Sequence, residues 1–162
     1  EGIAHKTEEG AVRLNLTCGQ DVSDAAVAMP TDRFLVEEMV TGAVAELLVG
    51  VVKDPAHGFV LTLAAGGTLT EIMQDSASVL LPASDAALNT ALDSLRIAPL
   101  LSGYRGAPPA DHAAILRAIR AVEAYVVAEA EGLEEIEINP LLCTPSDAVA
   151  ADALIRRKDM LR

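Results

Sequence analysis

Apolar and polar residues alternate over Ala11-Val12-Arg13-Leu14-Asn15-Leu16, the period of a half-buried strand. Val22 to Met29 reads as a short helix, with Asp21 as N-cap, Asp24 in the first turn and Pro30 as its stop. Arg33 to Val36 is strand-like again and runs into Glu37-Glu38-Met39-Val40, before Thr41-Gly42 marks a turn. This stretch is expected to form a small β-α-β unit.

The pattern then restarts. Glu46 to Val52 is rich in β-branched residues, and Phe59 to Leu63 is its expected hairpin partner across a turn at Lys53-Asp54-Pro55-Ala56-His57-Gly58. Ala64-Ala65-Gly66-Gly67 breaks the second strand, Thr68 to Met73 continues extended, and Val79 to Leu81 makes another short strand before Pro82. Ser84 caps a helix whose apolar residues, Leu88, Ala91, Leu92 and Leu95, fall at helical spacing. Pro99 to Pro109 is a compact connection. The longest helix follows, about Ala110 to Ala130, with Ile115, Ile119, Val122 and Val126 as its stripe and Gly132 placed to end it. Two strands close the chain, Glu135 to Leu142 and Ala148 to Ile155. The predicted fold is α+β, two layers, with helices on one face of a mostly antiparallel sheet. It divides into two small subdomains, residues 1–42 and 43–162.

Composition narrows the function. Hydrophobic residues make up 51% of the 162 and aromatic ones 2%, so a core must be built from Leu, Val, Ile and Ala. Twelve Lys and Arg against 24 Asp and Glu give a net charge of −12, which argues against nonspecific binding to a nucleic-acid backbone. A nucleotide is still allowed, because backbone amides, a few basic residues and Mg²⁺ can neutralise a phosphate locally. Cys18 and Cys143 lie far apart, with no CxxC and no nearby His, and read as two reduced thiols of a cytoplasmic protein. No apolar run is long enough to span a bilayer. The chain begins at Glu1 without Met, and is expected to be part of something longer.

The strongest chemical signal is the final hairpin. Strand periodicity puts Glu135, Glu137 and Asn139 on one face and Ile136 and Ile138 on the other. A register symmetric about Pro145-Ser146 sets Thr144 opposite Asp147 and Asn139 opposite Asp152. Glu137, Asn139 and Asp152 would then present hard oxygen ligands suited to Mg²⁺ shared with nucleotide phosphates. The same pattern also fits an ordinary solvated strand face, and Pro140 restricts its strand to an edge or a bulge. His5-Lys6-Thr7 with Gly10 could cradle a phosphate or be an exposed loop. Gly66-Gly67 allows close approach of a ligand or forms a β-bulge. Arg105, flanked by the two glycines of Gly103-Tyr104-Arg105-Gly106, is a phosphate or carboxylate clamp or a surface turn. His57 reads as a turn residue and His112 as solvent-facing.

Taken in order, HKTEEGAVRL, LVEEMVTGAVAELLVGVVKDPAHGF, AAGGTLTEIMQD, LLSGYRGAPPAD, EIEINPLLC and AADALI resemble the ATP-grasp domain of NDP-forming acyl-CoA synthetases. More distantly they are similar to the β subunit of succinyl-CoA ligase. The resemblance runs from about Ile3 to about Arg156. It implies an ATP-grasp fold, in which residues 1–42 end the first subdomain and 43–162 make the second. It also implies Mg²⁺ and ATP/ADP as cofactors, and a share in forming acyl-CoA, ADP and phosphate from acid, CoA and ATP through a phosphohistidine. Asn139 and Asp152 match the family's magnesium positions, with Glu137 beside them. Glu38, Met39 and Val40 match the hinge that meets adenine, and Glu46 an acidic residue near the ribose. Lys6 and Gly10 match the phosphate-covering loop, His5 a second phosphoryl carrier of one branch, and Arg105 a family-typical motif.

Gly10-Ala11 replaces the usual Gly-Gly pair. About the first third of the ATP-grasp domain is expected to precede Glu1, so the partners are CoA-binding and ligase domains of the same protein or of another subunit. A homo-oligomer formed through an exposed sheet edge is also open. The alternative reading is a non-catalytic, ligand-sensing ATP-grasp module fused to a protein acetyltransferase.

Overall fold

The computed structural model describes residues 12–67 and 74–158. The chain divides into two compact units, Glu1–Met39 and Val40–Arg162.

In the first unit the described residues form one helix, α1 (Gly19–Ala28). It starts earlier than expected. Cys18 stands at the N-cap and contributes no side-chain cap, while Asp21 accepts hydrogen bonds from the Thr17 backbone N–H and hydroxyl, each at 2.8 Å. These bonds hold the Asp21 carboxyl below its ordinary pKa. The helix ends at Met29, just before Pro30. The expected strands do not form: residues 12–16 and 33–36 carry no regular structure. Among the described residues their alternation has no ladder to join, and no residue of α1 is buried. A strand pattern is stabilised by cross-strand partners, not by its own backbone.

The second unit holds the core. Its strands are β1 (Ala45–Asp54), β2 (Gly58–Ala65), β3 (Ser76–Leu80), β4 (Leu133–Cys143), β5 (Ala148–Ala150) and β6 (Ala153–Arg157). They form one sheet in the order β3-β2-β1-β4-β5, with β6 also on β4, and every pairing is antiparallel. The helices are α2 (Asp85–Ser94), α3 (Ala98–Leu101) and α4 (His112–Ala128). Ser84 caps α2 by accepting the Ala87 N–H at 3.2 Å, and Asp111 caps α4 by accepting the Ala114 N–H at 3.0 Å. The connection before α4 contains the short helix α3, which the sequence reading lacked. Gly132 does not end α4. The cap is Glu129, whose N–H bonds the Tyr125 carbonyl.

Leu47, Val49 and Val51 of β1 face Leu88, Leu92, Ile115, Ile119 and Val126 of the helices, all buried. At about 1.5–3 kcal/mol per fully buried side chain, this layer is the main source of stability. Cys143 lies in it, and burial pushes its thiol up to about 12.

β4 reaches this core by changing parity. Between Leu47↔Leu141 and Val49↔Ile138 it carries one residue more than β1, a bulge at Asn139-Pro140. A second shift lies between Leu133 and Glu135. A bulge swaps the face of everything beyond it. Leu133, Ile136, Ile138, Leu141 and Cys143 therefore all belong to the core cluster or pack against it, despite their broken spacing. Pro140 is accommodated by this bulge, not by an edge position, since β4 is flanked by β1 and by β5 and β6.

No helix among the described residues is long and apolar enough to cross a membrane. Two outcomes follow. Native protein at pH 8 should react with one thiol equivalent at exposed Cys18, and with two once unfolded; reaction of both in the native state would contradict the buried thiol. The raised Cys143 value also means that the unfolded chain releases this proton first. Cys143 should therefore subtract stability as pH rises from about 9 towards about 12, and Cys143→Ala should flatten that part of a urea-unfolding pH profile.

Candidate functional site

The face of the sheet away from the helices is open. Along β1 it carries Glu46, Leu48, Gly50 and Val52, which are partly or fully exposed and alternate with the buried core residues. Across the strands, Val52 pairs with Val60 and Val60 with Leu80, an apolar row. The next row joins Gly50 to Thr62 and Ser78 on one side and to Glu137 on the other, with Leu154 beyond. The Thr62 and Ser78 hydroxyls hydrogen-bond at 3.1 Å.

The hairpin closing the chain has the register symmetric about Pro145-Ser146. Cys143 pairs with Ala148, Leu141 with Ala150, Ile138 with Ala153 and Glu137 with Leu154. Asn139 and Asp152 fall opposite each other in that register, and the Asn139 N–H bonds the Asp152 carbonyl at 3.2 Å. The second strand is broken at Ala151-Asp152 into β5 and β6, across from the β4 bulge. Asp152 is exposed, and its Oδ1 accepts the Ala153 N–H at 3.0 Å.

Asn139 also meets the glycine pair. Its Oδ1 accepts the Gly67 N–H at 3.1 Å. Gly66 donates its N–H to the Glu46 carbonyl at 2.8 Å. Gly66 is required by shape and Gly67 by its backbone conformation. A Cβ on Gly66 would lie 2.6 Å from the carbonyl carbon of Leu47, and Gly67, at φ +71°, would place one 2.0 Å from Glu46 Oε2. The fold thus brings Glu46, Gly66, Gly67 and Asn139 together, with Asp152 across from Asn139 and Glu137 two residues along β4.

The carboxylates differ in their compensation. Glu135 forms an ion pair with Arg156 of the neighbouring strand at 2.9 Å. Glu137 has Gly50 and Leu154 as cross-strand neighbours, which offer it no charge. Hard oxygens from Glu137, Asn139 and Asp152 fit a magnesium-type ion, which takes one or two carboxylates and completes its octahedron with water and phosphate. No group of three or more acidic, His or Cys side chains converges tightly enough among the described residues to cage an ion without such help.

Arg105 sits at φ +50° in an exposed turn, with its guanidinium 5.3 Å from the Tyr104 ring centroid. Glu38 and exposed Met39 belong to the first unit, and Val40 opens the second. His5, Lys6 and Gly10, like the extended segment expected at Thr68–Met73, lie outside the described residues. His112 is the first residue of α4 and exposed, and the His57 ring bonds Asp54 at 2.9 Å in the β1–β2 turn. That bond and two backbone N–H donors hold the Asp54 carboxyl low, with the Ala56 N–H contributing most. Sequence reasoning missed Asp75, a buried carboxylate next to the glycine pair in the fold. Gln74-Asp75-Ser76 reads as ordinary polar loop, and nothing in its spacing announces burial.

Because Gly66 abuts backbone that cannot move aside, Gly66→Ala should lower unfolding stability by about 1–3 kcal/mol, read by urea titration; an unchanged midpoint would show that β1 can yield there.

The sequence profile of the ATP-grasp domain matches residues 1–156. A trans-feruloyl-CoA synthase from an unknown prokaryotic organism is 35% identical over 94% of this chain and 23% of its own length. The 4-hydroxybutyrate–CoA ligase (ADP-forming) of Nitrosopumilus maritimus is 29% identical over 86% of this chain and 21% of its own. The chain therefore spans less than a quarter of either relative. Among solved structures, the dinucleotide-forming acetyl-coenzyme A synthetase 1 of Ca. Korarchaeum cryptofilum, in complex with coenzyme A, Ca-AMPCP and HgCl⁺, superposes with a TM-score of 0.81. It is 26% identical, over 97% of this chain and 72% of that one. The match over residues 1–156, with an all-antiparallel sheet that superposes on the solved synthetase structure, places the chain in the ATP-grasp domain family.

Proposed function

We propose that this chain is the nucleotide-holding part of an ADP-forming acyl-CoA synthetase, binding Mg²⁺ with ATP or ADP on the open face of its sheet. The single observation that carries the reading is the meeting of Asn139, Asp152 and the Gly67 amide at the β4 bulge. Asn139 and Asp152 are the metal ligands, with Glu137 beside them. The ion supplies charge neutralisation for the nucleotide phosphates.

The chain's own residues do the remaining work. Glu46 and the Gly66–Gly67 turn shape the floor beside the ligands, and the absence of side chains at the two glycines lets a phosphate approach the backbone. Lys6 and Gly10 are assigned to the phosphates, His5 to carrying a phosphoryl group, and Arg105 to an anionic group. Glu38, Met39 and Val40 are assigned to the adenine. Residues 1–42 act as the end of the first subdomain and 43–162 as the second. Catalysis is then positioning and electrostatics, with little covalent work asked of this domain.

In the whole enzyme the reaction joins an acid to CoA as ATP becomes ADP and phosphate, through a phosphohistidine. CoA-binding and ligase domains are its partners, in the same protein or in another subunit, and the setting is the cytoplasm. The ligase names of the relatives support this reading over a sensor fused to an acetyltransferase.

ADP titrated calorimetrically into the chain should bind only with Mg²⁺ present, and Asn139→Ala and Asp152→Ala should each weaken binding by about tenfold or more, roughly 1.4 kcal/mol. Equal affinity with and without metal, or unaltered binding in both variants, would overturn the metal assignment. The chain incubated alone with acid, CoA and Mg-ATP should form no acyl-CoA. Measurable product would show that it carries the whole reaction.

A further inference from the structure

Asp75 is 6% exposed, and its carboxylate takes two backbone donors, the N–H groups of Arg96 at 2.8 Å and Ile97 at 3.1 Å. Its own carbonyl accepts the Ala65 N–H at 3.1 Å. Ala65 is the last residue of β2, and Gly66 and Gly67 follow it directly. One residue thus joins the end of β2 to the segment linking α2 and α3.

Burying a carboxylate is costly unless its oxygens are satisfied. Here both are satisfied by backbone, which cannot rotate away as a side chain could. The bonds run from the Arg96 and Ile97 N–H groups to Asp75, from the Ala65 N–H to the Asp75 carbonyl, and from the Gly67 N–H to Asn139. At the Asn139 end the glycine turn is held closely, since Gly66 lies against the Leu47 backbone and Gly67 takes a positive φ of +71°. A shift of Ala65 would therefore be passed to the Gly67 amide and to the orientation of the Asn139 side chain.

We propose that Asp75 is a positioning residue of the nucleotide site, fixing the Gly66–Gly67 turn so that the Gly67 N–H orients Asn139. This rests on the assignment of Asn139 as a metal ligand. Outer partners that orient a ligand govern metal affinity through the geometry they impose.

Asp75→Asn is nearly isosteric, but its NH₂ group would face one of the two backbone donors and leave that donor unsatisfied. Glu123 provides the matched control. It is a second buried carboxylate among the described residues, on α4, accepting the Ala83 N–H at 2.9 Å and pairing with Arg120, away from the Gly66–Gly67 hydrogen bonds. Mg-ADP is titrated into the wild-type chain, Asp75→Asn and Glu123→Gln, while amide exchange at Gly67 and the melting temperature are measured on each. The expected result is that Asp75→Asn weakens Mg-ADP binding about tenfold and speeds Gly67 exchange, while Glu123→Gln lowers the melting temperature and leaves both unchanged. Asp75→Ser serves where the Asn variant does not fold. Wild-type affinity in a folded Asp75 variant overturns the proposal alone. So does equal weakening in Glu123→Gln, which would make the effect one of global stability. Absence of Mg-ADP binding by the wild-type chain overturns the site assignment, and this proposal with it.

Discussion

Between Leu47 and Val49 of β1, strand β4 carries one extra residue, at Asn139-Pro140. The side-chain period of a strand is two, so this surplus decides which face every later residue of β4 occupies. With it, Leu141 and Cys143 join Ile136 and Ile138 under the helices. Without it they would stand on the open face, and β1 would lose the partners that cover Leu47 and Ala45. The bulge has a second effect, because it locally re-aims the chain and Asn139 is the residue it turns. Core packing and the candidate site are thus two consequences of one irregularity.

Charge is distributed over the sheet with the same economy. Where an acidic residue has a structural role, its compensation is built in: Glu135 against Arg156, Glu129 against Arg157, and Glu123 and Asp85 against Arg120. Glu137, on the same strand as Glu135, faces Gly50 and Leu154 instead. Under the proposed function, part of the acidic charge beside Asn139, in a chain of net charge −12, is met by the metal ion that the site binds. A divalent cation carrying a nucleotide does that, whereas a nucleic-acid backbone would add to the repulsion.

The elements legible in the sequence were those whose partners lie close by in the chain. Glu46–Val52 and Phe59–Leu63 pair across a short turn, and the register runs from Asp54↔Gly58 to Leu47↔Ala65 without a break. Ser84, Leu88, Leu92, Ile115 and Ile119 took their expected places because a cap and a helical stripe are local signals. The final hairpin could be registered by counting outward from Pro145-Ser146 for the same reason. Alternation at 12–16 and 33–36 did not become strand, since nothing in the first unit supplies it with a ladder among the described residues. Gly132 looked like a helix stop by type, yet α4 closes three residues earlier at Glu129.

By itself the sequence determined the α+β class, the helical stripes, the cap at Ser84 and the oxygen-bearing face of the last hairpin, though it left that face open between metal site and solvated surface. These follow from periodicity and short-range bonding, which depend on residues a few positions apart. The tertiary structure alone decided that Gly67 would donate to Asn139, 72 residues away, that Glu46 would lie against Gly67, and that Asp75 would be buried under Arg96 and Ile97. Such contacts depend on how β1, β2 and β4 stack side by side, a register set by the bulge and by the whole core. No window of sequence contains that information, because the bonds that fix it form only once the sheet has closed over its helices.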